Sequence, residues 1–500
     1  MNQRKMTVIR GARLLDAPSH EANFADILIE EGRINEVGPP GLEAPVEAEV
    51  VEATDMLLMP GLVNAHSHSH GSLAKGMADR FSLELLLNAG PWLSGERTVE
   101  ERYLATLLNA VELVQKGCTA VYDLYSEFPV PTVEGLEAVC RAYEEVGIRA
   151  VVAPMMADRL LFEAIPGLLD AIPTPLQRDL DRIRAAPYEA SIESSEKLLR
   201  GWSRDRSKIR LALAPTIPLH CSDEFLIACR DLARDHGVGL HMHLAESKVQ
   251  VVSGLKKYGK TLTAHLDELE FITPGFVGAH CVWLDDEDLL RMADNGASIA
   301  HNPGSNLRLG SGIAPARAML QRGIHVGIGT DGSVCSDNQN MFEAMRQTSF
   351  VSRVQSPDYS TWLSTEEIIH LATAGSARVL GFEDEIGRIL PGYRADFVFL
   401  DLTTISYVPF NDATNQVVNC EDGGGVRSVM VDGRMIFRDG EFTQLDYRKM
   451  VRDVEKVADR LKGATAQNKA LALKLEKYVG EYCVGLAREP YHVHRMLPDS

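Results

Sequence analysis

The chain has 500 residues, more than one ordinary domain holds and enough for a large α/β barrel with a small accessory domain. It carries 51 Lys and Arg against 70 Asp and Glu, a formal charge of −19, which argues against nucleic acid and anionic membrane surfaces and favours a small neutral or cationic substrate. The start lacks an apolar stretch of signal-peptide length, no segment approaches the roughly 20 apolar residues of a membrane span, and the eight scattered cysteines form no CxxC pair, so the expected location is cytoplasmic and reducing.

The first stretch reads as short strands with turns: Met6 to Leu14, Ala25 to Glu30, Gly32 to Val37, Glu47 to Glu52 and Met56 to Leu58. Strands then alternate with helical stretches in the manner of a βα barrel. Eight candidates fit a closed barrel: Gly61 to His66, Thr119 to Asp123, Arg149 to Met155, Ile209 to Thr216, Gly239 to Leu244, Phe276 to Cys281, Ala297 to His301 and His325 to Asp331. Between the third and fourth, residues 157–208 form a long insertion, helical around Ser191 to Trp202, which either covers the barrel mouth or is a surface excursion. β-Rich sequence returns at Gly387 to Asp401 and Val426 to Gly440. Charged, helix-period sequence runs from Arg448 to Val479, and Tyr491-His492-Val493-His494 follows no buried strand, so this HxH is expected to be a packing tail or an oligomer contact.

The chemistry sits at the ends of the barrel strands. In Asn64-Ala65-His66-Ser67-His68 the two imidazoles are two residues apart on a strand, share a face and can hold one ion. His243 with Glu246 behind it, His280 and Asp331 end later strands, where barrel enzymes keep their chemistry. Three neutral imidazoles and one carboxylate suit a divalent ion such as zinc, with iron or manganese as alternatives. Water on zinc has its pKa lowered to about 7, making hydroxide available at neutral pH. In His241-Met242-His243 the second histidine is chosen as ligand, and His241, one pleat deeper, as a buried histidine behind it. Glu246 is then placed to take a proton from the attacking water and pass it to a leaving nitrogen.

Pro60 to His68, His243-Leu244-Ala245-Glu246, Gly278-Ala279-His280-Cys281, His301-Asn302-Pro303-Gly304-Ser305-Asn306 and Gly329-Thr330-Asp331-Gly332 together resemble the amidohydrolase superfamily, and within it the triazine hydrolase and methylthioadenosine/S-adenosylhomocysteine deaminase-like branch. The resemblance implies a (β/α)8 TIM barrel over 59–385, a small β-sandwich built from both chain ends (1–58 and 386–442), and leaves 443–500 as a C-terminal helical extension. It implies His66, His68, His243 and Asp331 as metal ligands, Glu246 as proton shuttle, His280 as the group that polarises or orients the substrate, and Asp331 as a second aid in deprotonating water. Such relatives place the stretch corresponding to Ser305 to Pro315 beside the pocket, and His301, Asn302 and Asn306 are expected to bind substrate. Binuclear relatives carry a lysine or glutamate at the end of the fourth strand; here that strand ends Ala214-Pro215-Thr216, so one metal ion is expected. The loop after His68 departs from the deaminase pattern: its Gly-x-x-Asp survives in Gly76 to Asp79, the tryptophan pair is lost, and His70, Trp92 and Glu96 are the substitute candidates for substrate contact. Two functions stay open: deamination of a cyclic amidine such as an aminopurine, aminopyrimidine or aminotriazine, or cleavage of a linear amide, urea or carbamate. A homo-oligomer is expected.

Overall fold

The computed structural model describes residues 5–496. Both chain ends meet in one nine-stranded sheet, ordered Glu441–Phe442, Arg434–Arg438, Val426–Val431, Phe397–Asp401, Met56–Pro60, Met6–Asp16, Glu21–Glu30 and Arg33–Gly38, with Glu49–Glu52 parallel to Met6–Asp16. Alternation along these strands separates two cores. Leu58, Phe397, Phe399 and Met430 join Ile9, Ile27 and Ile34 in the accessory core, whereas their neighbours Leu57, Met59, Val398, Leu400 and Val429 face the main one.

The main body is built from parallel strands. Leu62–Ser67, Cys118–Ser126, Arg149–Met156, Ile209–Leu211 and Ala214–Pro215 form one sheet, and Leu240–Leu244, Phe276–His280, Ser298–His301 and His325–Ile328 a second. Two seams join them, a parallel bridge between Leu213 and Leu240 and another between Ser67 and Asp331, so the last strand meets the first as a (β/α)8 barrel requires. The fourth expected strand is broken at Ala212 and Leu213, where Leu213 leaves the third strand and bonds Gly239 and His241 of the fifth instead. Pro215 has no N–H to give, which suits the end of a ladder.

The insertion holds the helices Leu161–Ala164, Thr174–Leu180 and Tyr188–Arg200, and its Arg182 and Ile183 reach the barrel mouth. The C-terminal helices Tyr447–Ala464 and Ala466–Ala487 also reach it. Leu475, Val479, Cys483 and Leu486, spaced by three and four residues, form the buried stripe of the second helix, which packs on helix Leu83–Ser94. The final HxH segment is a packing tail: Tyr491 lies against Trp283, and His492 bonds Asp285 at 2.7 Å. Among the described residues no helix is long and apolar enough to cross a membrane.

Candidate metal centre and active site

The mouth of the barrel gathers His66, His68, His243, His280, Glu246 and Asp331 into one buried cluster. Gly329 makes this possible at the seam. A Cβ there would sit 2.3 Å from Asn302 Oδ1 and 2.8 Å from His66 Cβ, so only glycine lets the eighth strand approach the first closely enough for Asp331 N to donate to His66 O at 2.9 Å. Asp331 Oδ1 then lies 3.2 Å from His68 Nε2 and 3.6 Å from His66 Nε2, and Oδ2 lies 3.8 Å from His280 Nε2.

Hydrogen bonds behind the rings set which nitrogens are free. His68 Nδ1 donates to Leu124 O at 2.7 Å and His243 Nδ1 to Thr216 O at 2.7 Å. With both Nδ1 positions protonated, both Nε2 atoms carry lone pairs, yet they face each other at 3.0 Å. Two bare lone pairs at that separation repel unless a cation lies between them; nitrogens bound at about 2.1 Å to one tetrahedral ion stand about 3.4 Å apart. His66 Nδ1 meets His241 Nε2 at 3.1 Å, and His66 Nε2 is buried with no hydrogen-bond partner among the described residues. His66, His68 and His243, and separately His66, His280 and Asp331, present ligand atoms within 4.8 Å of one another, so the residues fit a divalent ion.

The electrostatics agree with neutral donors. Burial and the neighbouring imidazoles push His66 far below the ordinary histidine range and His243 down to about 3. Burial works against the Asp331 carboxylate, but the neighbouring imidazoles and the Ser305 hydroxyl outweigh it and hold its pKa below the ordinary value. Glu246 goes the other way: burial, then Asp331 and Glu84, raise it well above the carboxylate range. Its position is set locally, because Ser247 caps helix Lys248–Tyr258 and Gln250 Oε1 accepts from Glu246 N at 2.8 Å. Glu246 Oε2 lies 3.7 Å from His280 Nε2, whose Nδ1 is 2.9 Å from Asn306 Oδ1.

A cavity of about 930 Å³ opens over the cluster, lined by His68, His243, Glu246, His280 and Asp331 and walled by apolar side chains including Leu86, Leu160, Ile217 and Leu309. His70 and Glu96 line it as well. Trp92 lies under the Lys469 ammonium, 4.9 Å from ring centre to nitrogen, and is not among the lining residues. Neither are His301, Asn302 and Asn306: His301 and Asn302 are buried beside the cluster, and Asn306 reaches it only through His280. Sequence reasoning missed the cavity arginines Arg97, Arg102, Arg182 and Arg460, which lie in no motif.

A parallel barrel with a histidine and carboxylate cluster at the C-terminal ends of its strands is the setting of a metal-assisted hydrolase. The amidohydrolase family model matches residues 57–436, and the chain belongs to this family. It is 31% identical over 462 residues to 5-methylthioadenosine/S-adenosylhomocysteine deaminase of Desulforamulus reducens, covering 91% of this chain and 99% of that one. The zinc-bound adenosine deaminase of Xanthomonas campestris superposes with a TM-score of 0.80 at 26% identity, covering 91% of this chain and 98% of that one. The zinc complex of atrazine chlorohydrolase from Arthrobacter aurescens gives 0.81 at 25% identity, with 90% and 100% covered.

Proposed function

We propose that the chain deaminates a cyclic amidine, an aminopurine, aminopyrimidine or aminotriazine, releasing ammonia and leaving a ring carbonyl. The observation that carries the reading is Glu246, buried over the cluster with its carboxyl 3.7 Å from His280 and its pKa raised well above the ordinary range. His66, His68, His243 and Asp331 would hold one ion, zinc in the reading the zinc-bound neighbours support, since the fourth strand ends in Thr216 without a bridging acid. Such an ion supplies a water of lowered pKa. Glu246 takes a proton from the attacking water and delivers it to the leaving amino nitrogen, a task suited to a carboxylate whose basicity burial and the neighbouring acids Asp331 and Glu84 raise. His280, oriented by Asn306, steadies the ring nitrogen or the developing oxygen. The apolar walls and the volume of about 930 Å³ suit a planar heterocycle with a substituent. The accessory core shared by both chain ends supports the β-sandwich reading, and eight free thiols support a reducing, cytoplasmic compartment.

A mass-spectrometric screen of aminopurines, aminopyrimidines, aminotriazines, aryl ureas and aryl amides tests the reaction. Ammonia release with a one-unit mass gain of the ring is expected. Turnover confined to ureas or amides would overturn the reading.

A further inference from the structure

The outer side of the cavity is cationic. Once Glu246 and Asp331 beside the histidines are set apart, the lining carries Arg97, Arg102, Arg182 and Arg460 against the single acid Glu96. In a chain of net charge −19 this is a local reversal of sign. Three of the four are compensated by carboxylates: Arg460 grips Glu101, Arg182 pairs with Asp179 at 2.9 Å, and Arg102 lies 3.5 Å from Glu127.

Arg97 has no such partner. Among the described residues its guanidinium donates to two carbonyl oxygens, those of His70 and, at 3.0 Å, of Leu93, and its Nε is buried without an acceptor. Glu101, the nearby acid, is committed to Arg460 and to the backbone N–H of Thr98. Burial and the like charge of Arg102 pull the Arg97 pKa down to about 10, as expected of a cation held where it lacks an anion. Five N–H donors less two used leave three, Nε among them. The backbone holds the group in place: Glu96 adopts a left-handed φ of 56°, and Arg460 Nη2 donates to the Glu96 carbonyl at 2.7 Å. The turn so pinned sets Arg97 against the carbonyl of His70, whose ring centre is 5.3 Å from that of His68.

We infer that Arg97, with Arg102 beside it, forms an oxyanion subsite for a carboxylate or phosphate carried by the part of the substrate distal to the reacting carbon. The inference rests on the deaminase reading and narrows its substrate class to amino heterocycles with an anionic substituent. Charge-assisted bonds from a partly desolvated guanidinium are the strong kind, and the anion completes the donor set that the fold leaves open.

The test uses the metal-loaded full chain and the amino-heterocycle panel in three forms: carboxymethyl, phosphonomethyl and the neutral carboxamide. Binding is read by calorimetry and turnover by ammonia release. An anionic form should bind about tenfold to a hundredfold tighter than the carboxamide, and whichever of the two leads identifies the group. Arg97→Gln should flatten that preference, while Arg97→Lys should keep part of it. Equal binding of all three forms by wild type would overturn the subsite. So would a preference that survives in folded, metal-loaded Arg97→Gln, because the anion would then be sitting on the metal. Should Arg97→Gln fail to fold, Arg102→Gln decides in its place, a reduced preference supporting the subsite and an unchanged one refuting it. Absence of ammonia from every form would refute deamination alone, since the binding contrast still judges the subsite.

Discussion

His241→Leu should weaken metal binding without weakening the metal-free fold. His241 is fully buried, with its Nε2 3.1 Å from His66 Nδ1 and its ring edge-on to Tyr122 at 4.4 Å between centres. When His66 Nε2 holds an ion, Nδ1 must carry the proton, and His241 is the acceptor that satisfies it. Leucine keeps most of the volume but removes the acceptor, leaving a buried N–H unpaired only in the loaded state. Loss of such a partner costs about tenfold to a hundredfold in metal affinity, or about 1.4 to 2.8 kcal/mol. In the metal-free state the cost is smaller, because burial already holds both imidazoles neutral and an apolar replacement removes a polar group whose Nδ1 has no partner. Chelator competition should show the rise in Kd, and calorimetry in excess chelator a Tm no lower than wild type. An unchanged Kd together with a lowered metal-free Tm would show that His241 serves packing alone.

Elemental analysis should find about one divalent ion per chain, reduced by His68→Ala and unaffected by His494→Ala, whose exposed side chain lies in the packing tail; two ions with full activity would refute the single site. Glu246→Gln should keep metal content and Tm while lowering kcat on the order of 10²-fold or more, and loss of the ion with turnover restored on reloading would refute the shuttle role. Asp288→Asn should stabilise the protein at neutral pH. Burial, only partly offset by the Thr261 hydroxyl at 2.6 Å, raises the Asp288 pKa to about 6, so the folded state favours the protonated carboxyl, and stability present below the ordinary value near 4 is lost as pH rises through 6. Asparagine keeps the acceptor and carries no charge, so denaturant titrations should give a gain on the order of 1 to 2 kcal/mol at pH 7.5 that vanishes near pH 4; a pH-independent difference would refute the linkage.

The barrel strands were legible because each is a short apolar run ended by Gly, Pro or a polar residue, and all eight expectations end within three residues of the observed elements, the fourth in two pieces. The eighth, His325 to Asp331, stops as a strand at Ile328, because Gly329 and Thr330 turn to bring Asp331 across the seam. The accessory strands were legible as short β-rich runs broken by turns. What local pattern could not supply is the outer wall of the cavity. Arg97, Arg182, Arg460, Gln467 and Asn468 meet there from three separate segments, and each reads locally as an ordinary polar residue of a helix or loop. Net charge hides this wall too, since summing 51 and 70 charges over a whole chain says nothing of four arginines gathered at one mouth.

Alternation alone would also have sent His280 the wrong way. On its strand Val277 lies in the barrel interior, so period two places Ala279 inside and His280 outside with Gly278. His280 instead has φ 67° and Cys281 φ 50°, and this left-handed turn brings the ring back over the mouth to Glu246 and Asp331. Ala245, just after His243, and Asp331 share the same backbone region, at φ 49° and 61°. Each such residue costs about 1 kcal/mol or more and persists only where its surroundings hold it, here through Cys281 N bonding Leu244 O at 3.0 Å and Gly332 N bonding Asp331 Oδ1 at 2.7 Å. His301 is the control. It ends its strand without a positive φ, follows the interior Ala300, and lies outside the cavity lining with neither ring nitrogen partnered. His280 thus reaches Glu246 and Asp331 through the left-handed pair it forms with Cys281, a turn that His301 does not make.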